Sequence, residues 1–561
     1  MRLARLVFPS LLLLGGLALP ACSTSPDGTG ATVGPIQTAD GASLDGAVGE
    51  DVAVTPSGPP RAKVFVHDPV TDNQKVNEVT LVPPTTADGK LTGPSVEVHN
   101  CLQQDGGTVL KRSGFEIGTM CIEAQTVVKD PDGNYFSVAP PADFGDGQDP
   151  FAELQMYFHV STIHDFFHDG FGLTDLDFPL TAIVNLTMNI KPEIAKFTGQ
   201  EPGWNGFPNA LFMPPEGFAQ FGLPVRDNGA IVFGQYKATD FSYDASVIYH
   251  EYTHAMVGTT RLSGVTIDST GLDNLPGAMN EGFADYFSCS LRDDPHIGAY
   301  ALTSFGGGYL ERDLSKAKKC PDDLTTEMHA DGKIIGSALW QIRQKVGNTR
   351  ADGIILKALS SFTKSTSLTG AGKLILAEAK GVDKTTGDQV KAILDAHGIL
   401  TCKRTKVFEA FNADDSAEHV PYTVEGLGSA QGNAFPTGMP GYLQFYIDVP
   451  ADTGSVAIGW HNDNHGGFGG LGKLGLAVRL GEPVQITIDG NLNSDAQFAV
   501  AVDAKDQSWQ HVTLAGKCMP SQGGRVYLMF LNPGQASVAM DQMTVTLQKS
   551  TPTQGVPSAC Q

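Results

Sequence analysis

His250-Glu251-Tyr252-Thr253-His254, followed by Asn280-Glu281-Gly282-Phe283-Ala284-Asp285, constrains this 561-residue chain more than any other feature. Four residues apart on a helix, His250 and His254 stack on one face, so both imidazoles can aim at a single metal ion. Glu251 lies beside the pair, within reach of a metal-held water. Glu281 offers a third ligand from a following helix, flanked by Asn280 as an outer contact. Asp285, one turn further, can accept the free ring N–H of a ligating histidine. A bare H-E-x-x-H arises by chance often enough to prove little, but the downstream Asn-Glu-x-x-Ala-Asp is an independent match. A histidine-liganded alternative needs Gly three residues and His six residues after the second histidine. Val257 and Thr260 stand there instead. The residue set therefore implies one zinc ion, held by His250, His254 and Glu281, and hydrolysis by activated water.

With these motifs in view, the chain resembles the thermolysin-like zinc metallopeptidases (gluzincins), and most closely the fungalysin family. His-Glu-Tyr-Thr-His with Asp244 six residues upstream is one match. Glu327-Met328-His329-Ala330-Asp331-Gly332, followed by Ala338-Leu339-Trp340, is similar to the family's E-x-H-x-x-G segment, whose histidine stabilises the oxyanion. Phe158 to Phe167, ending in Gly170-Phe171-Gly172, looks like the helix before the catalytic cleft. Asn209-Ala210 matches the start of the substrate-binding edge strand. The matches span about residues 60–400. Three positions depart from the pattern: Ala255 stands where Gly is usual, Asn280-Glu281-Gly282-Phe283 replaces G-E-G-W, and Tyr309 is only a candidate for the assisting tyrosine. Calcium has no support from the sequence. Asp244 is a conceivable ligand, but Arg292-Asp293-Asp294 replaces the acidic cluster that thermolysin places after its third ligand.

The expected activity is that of a zinc metalloendopeptidase. Glu251 takes a proton from attacking water and hands it to the leaving amine. The resemblance implies that His329 hydrogen-bonds the developing oxyanion, a term worth roughly 3–4 kcal/mol for a well-placed donor. It also implies that protein or peptide substrates lie extended along Asn209-Ala210, with main-chain pairing giving affinity.

The N-terminus indicates location. Arg2 and Arg5 precede an apolar run from Leu6 to Leu19, too short for a stable spanning helix. It ends in Leu19-Pro20-Ala21-Cys22, which resembles a lipoprotein cleavage box with Cys22 lipidated. Residues 1–22 then form the signal, and the polar, Gly- and Pro-rich residues 23–60 a flexible linker. The expectation is a protein of the bacterial cell envelope or exterior, held to an outer membrane or cell surface through Cys22. About 40 residues between Cys22 and the first strand-like run are too few for a folded inhibitory pro-domain, so activity is expected without its removal. A net charge of −23 argues against nucleic-acid partners, and a monomer is expected. Export permits disulfides. Short loops suggest Cys101–Cys121 and Cys289–Cys320, leaving Cys402, Cys518 and Cys560 unassigned.

The predicted fold class is α+β, with a thermolysin/fungalysin-like catalytic domain followed by an all-β sandwich. Residues 61–145 read as a β-rich N-terminal subdomain. Residues 146–400 read as the zinc metallopeptidase domain, with a helical lobe and the zinc in the cleft. Ile334, Ile335, Ala338, Leu339 and Ile342 line one helix face there. Val390, Ile393, Leu394 and His397 line another, with His397 read as a core histidine. In residues 401–561, alternation at Leu443, Phe445, Ile447 and Val449 and similar runs at 526–530 and 543–547 predict a C-terminal β-sandwich. His164 and His168 share the metal-pair spacing, with His159 nearby, but fall in the segment that matches a structural helix of the family, and no acidic third ligand is well placed. His461 to Gly467 could bind Ca²⁺ or a glycan through its oxygens, and a turn between strands explains it as well. Two rival readings share these residues: a surface adhesion or binding protein whose β-sandwich acts while its peptidase domain is degenerate, and a zinc hydrolase of non-peptide esters or amides.

Overall fold

The computed structural model describes residues 58–112, 115–198, 201–220, 222–262, 264–305, 312–413, 420–426, 438–463, 472–488, 492–501, 508–552 and 555–561. Cys22, the apolar run before it and Tyr309 lie outside the described residues. Helices and sheets are mixed through residue 401, and the C-terminal part is β-rich, in keeping with an α+β chain.

A five-stranded mixed sheet forms the first layer. Its order is Ala210–Met213, Ala230–Phe233, Leu180–Val184, Val96–Leu102 and Ile122–Ala124. The central pairs are parallel and both flanking pairs antiparallel, which leaves Ala210–Met213 at one edge. Along Val96–Leu102, the side chains of Val96, Val98 and Asn100 are buried on one face. Helix α1 (Phe151–Phe171) packs on that sheet against Val96–Leu102 and Leu180–Val184, buries Leu154, Tyr157 and Val160, and stops at Gly172, whose positive φ of 68° closes the helix. The other helices are α2 (Pro192–Thr198), α3 (Pro215–Gln220), α4 (Ala245–Arg261), α5 (Leu275–Arg292), α6 (Met328–Val346), α7 (Asn348–Leu359), α8 (Leu368–Val382) and α9 (Lys384–Ala396).

Helices α4, α5 and α6 carry the sequence motifs, and glycines decide how closely two of them approach. A Cβ on Gly282 of α5 would lie 2.4 Å from the Gly332 carbonyl oxygen of α6. A Cβ on Gly332 would lie 2.6 Å from the Ala278 oxygen and 3.0 Å from the Glu281 Cβ. The two backbones therefore touch where no side chain fits, which brings Glu281 and His329 together. The predicted faces are filled: Ile334, Ile335, Ala338, Leu339 and Ile342 are buried on α6, as are Val390 and Leu394 on α9. His397 is a core histidine, its Nδ1 donating to the Lys318 carbonyl at 2.6 Å while burial lowers its pKa.

Beyond residue 404, two sheets pack face to face. One runs Thr405–Val407, Met439–Val449, Gly524–Asn532, Gly475–Leu480, Phe498–Ala501; the other contains Phe411–Asn412, Val538–Gln548, Ser455–Asp463 and Trp509–Ala515. Buried Trp460 from one meets Phe530 from the other edge-to-face at 5.2 Å, giving the layers a shared aromatic core.

The disulfide expectation is half right. Cys101–Cys121 forms, but Cys320 pairs with Cys402, and Cys518 with Cys560. Cys289 is a buried free thiol. It sits buried inside α5 as part of the hydrophobic core, and burial raises its thiol pKa. Proximity in sequence misled the Cys289–Cys320 pairing, because a cysteine's direction on its helix is not encoded in loop length.

Candidate active site

Helix α4 begins at Asp244, whose Oδ1 accepts from the Ser246 backbone N–H at 3.0 Å as an N-cap. Its Oδ2 accepts from the backbone N–H of Tyr300 and Ala301, so donors already occupy both oxygens and none is left for a cation. One and two turns on, His250 and His254 point the same way, with their Nε2 atoms 3.0 Å apart. Glu281 on α5 faces them: Oε2 lies 3.2 Å from His250 Nε2 and Oε1 3.6 Å from His254 Nε2. Among the described residues this trio alone gathers three ligand atoms within 4.8 Å of one another.

The ring tautomers follow from the outer contacts. His254 Nδ1 donates to Asn280 Oδ1 at 3.0 Å, and His250 Nδ1 lies 2.8 Å from Asp285 Oδ1. A proton on each Nδ1 leaves both Nε2 lone pairs aimed at the same point, the arrangement a metal ligand needs. The buried Glu281 Oε2 accepts no hydrogen bond. Two facing imidazole lone pairs and an unsatisfied carboxylate oxygen fit a borderline cation such as Zn²⁺, which takes nitrogen and oxygen donors tetrahedrally at about 2.0–2.2 Å. The carboxylate draws positive charge to this point. Against the cost of burial, the Glu281 carboxylate pushes His254 up to about 9, while His329 and His254 hold Glu281 well below the usual carboxylate range.

Glu251 lies on the α4 face that looks toward the edge strand. Its Oε2 accepts from the backbone N–H of Phe212 at 2.8 Å. In the antiparallel ladder with Ala230–Phe233, alternate residues turn their polar groups outward. Since Phe212 N–H points to Glu251, Ala210 also presents its N–H and C=O to the open edge. Asn209 precedes the strand, half-buried, and its carbonyl accepts from Gly234 N–H at 3.0 Å.

His329 opens α6 and lies 3.4 Å from Glu281 Oε2 through its Nε2. Its Nδ1 lies 2.7 Å from Glu327 Oε1, and Glu327 also caps the helix by accepting from His329 and Ala330 N–H. Crowding by the protein opposes a ring charge even though the side chain is 56% exposed, but Glu281 and Glu327 outweigh it and push His329 up to about 9. Glu327 moves the other way, down to about 2, because against burial the His329 charge stabilises its carboxylate.

The comparisons agree with this geometry. Residues 121–350, about two-fifths of the chain, match the fungalysin metallopeptidase (M36) family model. This part of the chain is fungalysin-like. Similar proteins include an extracellular metalloproteinase mep of Aspergillus niger, 34% identical over 94 residues, 16% of this chain and 14% of that one. Extracellular metalloproteinase 5 of Arthroderma otae is 30% identical over 153 residues, 25% of this chain and 23% of the relative. Extracellular metalloproteinase 2 of Phaeosphaeria nodorum is 40% identical over 84 residues, 15% and 12% of the two chains. The matched segments thus span less than a quarter of the length of each of these relatives.

The fungalysin-like site contains two contacts that sequence reading did not supply. Arg312, from a two-residue strand paired with His296–Ile297, sets its Nη1 3.0 Å from Asp285 Oδ1 and 3.5 Å from Glu281 Oε2. The Phe212–Glu251 hydrogen bond is the other. Neither Arg312 nor Phe212 belongs to a spaced motif, so only the fold reveals them. At the outer end of α1, Asp177 approaches both His164 Nε2 (3.1 Å) and His168 Nε2 (3.5 Å), an acidic neighbour that the sequence reading did not place there. These three do not converge as the His250 set does. His461 pairs with Asp541 at 2.6 Å, and residues 464–471 lie outside the described residues.

Proposed function

We propose that this chain is a zinc-dependent endopeptidase acting outside the cytoplasm on extended protein or peptide substrates. The observation that carries the reading is the convergence of three ligand atoms beside a glutamate fastened to an edge strand. Zinc, when held by His250, His254 and Glu281, supplies Lewis acidity and a water of lowered pKa. Glu251 accepts the proton of that water and returns it to the leaving nitrogen. Phe212 N–H keeps the Glu251 carboxylate turned toward the cleft. His329, protonated by its two carboxylate neighbours, donates to the carbonyl oxygen as negative charge grows on it. Substrate backbone pairs with the outward groups of Ala210, and Asn209 contributes beside it. A degenerate peptidase domain would have lost the base or a ligand first; Glu251, both histidines, Glu281 and His329 are all present.

The location belongs to the same proposal. The extracellular names of the relatives favour export, and Leu19-Pro20-Ala21-Cys22 supports a lipid on Cys22 with residues 23–60 as tether. We take residues 61–145 and 146–400 as the two parts of the peptidase and residues 401–561 as an appended β-sandwich. Zinc content together with chelator-sensitive cleavage of a casein-like substrate tests the activity. Purified chain that binds zinc at His250, His254 and Glu281 yet cleaves no peptide would overturn it.

A further inference from the structure

We propose that Asp149 and Asp240, with the neutral oxygens of Gln235, Ser242 and Tyr243, form a second cation site, one that takes calcium and staples the start of α1 to the approach to α4. The proposal is independent of the peptidase reading. Its basis is a group of buried oxygens left without strong donors. Asp149 is 3% exposed and Asp240 fully buried. One oxygen of each is used: Asp149 Oδ1 accepts from Ala152 N–H at 2.9 Å, and Asp240 Oδ1 from Ser242 N–H at 2.7 Å. By strict geometry the second oxygen of each, Ser242 Oγ, Tyr243 OH and Gln235 Oε1 lack a partner, while Tyr243 OH still leans on the Asp149 carboxylate and Ser242 on that of Asp240.

These atoms belong to one place. Gln235 and Asp240 are direct partners in a short antiparallel ladder, so their side chains share a face. The loop Asp143-Phe144-Gly145-Asp146-Gly147-Gln148-Asp149 presses on that hairpin so closely that a Cβ on Gly147 would lie 2.2 Å from Gln235 Nε2. Tyr243 is near enough to both carboxylates that, after burial, they raise its hydroxyl pKa further.

A buried oxygen without a strong donor is costly, and more so when charged, so two buried carboxylates beside Gln235 Oε1 call for an occupant. Neither aspartate forms an ion pair among the described residues. Asp285, by contrast, has Arg312, and Asp352 accepts from Tyr286 OH and Ser290 Oγ. Burial pushes Asp149 up to about 6, and burial followed by Asp149 pushes Asp240 well above the usual range. Two carboxylates and neutral oxygens, with no nitrogen or sulfur, select a hard ion. Calcium suits a cradle fixed by several protein oxygens better than magnesium, which keeps its waters. Asp149 stands two residues before the start of α1, and Asp240 ten residues before His250.

Zinc-loaded full chain, freed of calcium, is dialysed against calcium at about 10 mM, above even the weak ~10⁻³ M range of extracellular sites, and its metal content is measured. The expected result is calcium beside zinc and a higher melting temperature. Asp240→Asn should lose one calcium per chain and that calcium-dependent rise while keeping zinc. If this variant fails to fold, Asp149→Asn and terbium luminescence of the wild type, sensitised by Tyr243 and quenched by added calcium, give the same readout. Calcium stoichiometry unchanged in both variants would overturn the proposal. So would a wild type that binds no calcium but gains stability on acidification through about pH 6, the behaviour of a proton shared by two carboxyls.

Discussion

At the residue scale, the division of labour in the cleft makes separable predictions. Glu251→Gln retains all three ligands, so zinc content should be unchanged while peptide cleavage falls by several orders of magnitude. Glu281→Ala should lose the metal along with activity; metal analysis beside an activity assay distinguishes the two. His329 predicts a pH dependence. Its protonated ring is the donor, and deprotonation ends that role, so activity should fall as pH rises. The ordinary value is 6.5 and the site raises it to about 9 through Glu281 and Glu327 against the cost of crowding by the protein. A cation on Glu281 cancels part of that pull, so the alkaline limb of kcat should fall between these values. His329→Ala should abolish the limb and lower kcat more than it raises KM. An alkaline limb unchanged in His329→Ala would assign it to another group. His250, Glu251, His254, Glu281 and Asp285 were legible in the sequence because helical spacing fixes which side chains share a face. Arg312 was not, since it reaches the cleft from a short strand and no periodicity announces it.

At the element scale, three helices and one strand edge make the cleft. The contact between α5 and α6 depends on backbone against backbone at Gly282 and Gly332. Gly332→Ala places a methyl 2.6 Å from a carbonyl oxygen and should push the helices apart. Overpacking of this kind costs about 1–3 kcal/mol, read as a lowered denaturant midpoint. Because Glu281 and His329 flank the contact, zinc affinity should fall as well. A variant with native stability and zinc binding would show that the helices tolerate separation. The E-x-H-x-x-G pattern contains this glycine, but not its reason: close approach belongs to a pair of helices, and one helix read alone cannot display it. The edge position of Ala210–Met213 is similar. Its location came from resemblance, because strand order in a sheet with parallel crossovers is set by distant partners. Its hydrogen bond to Glu251 became visible only with that order in place.

At the scale of the whole molecule, the helical lobe and the β-rich C-terminal part are tied covalently. Cys320 precedes α6, and Cys402 follows the short turn after α9, just before the strand Thr405–Val407 joins the C-terminal sheet. Sequence reading found both ends of this link without joining them, because an 82-residue separation carries no local signal. The β-type alternation at Leu443 to Val449 was legible, since period two is local, whereas the packing of two sheets around Trp460 and Phe530 was not. Closing a loop of this length removes about 4.5 kcal/mol of unfolded-chain entropy in the polymer model. Arg404 adds polar ties nearby, its guanidinium donating to the Leu272 and Tyr442 carbonyls. The double variant Cys320→Ala/Cys402→Ala should therefore lose stability by up to about that amount, since released strain or residual structure only reduces it. If the bond chiefly couples the two parts, calorimetry of the variant should resolve two transitions where the oxidised chain gives one. An unchanged single transition at the same temperature would mean that packing across the shared core alone holds the parts together.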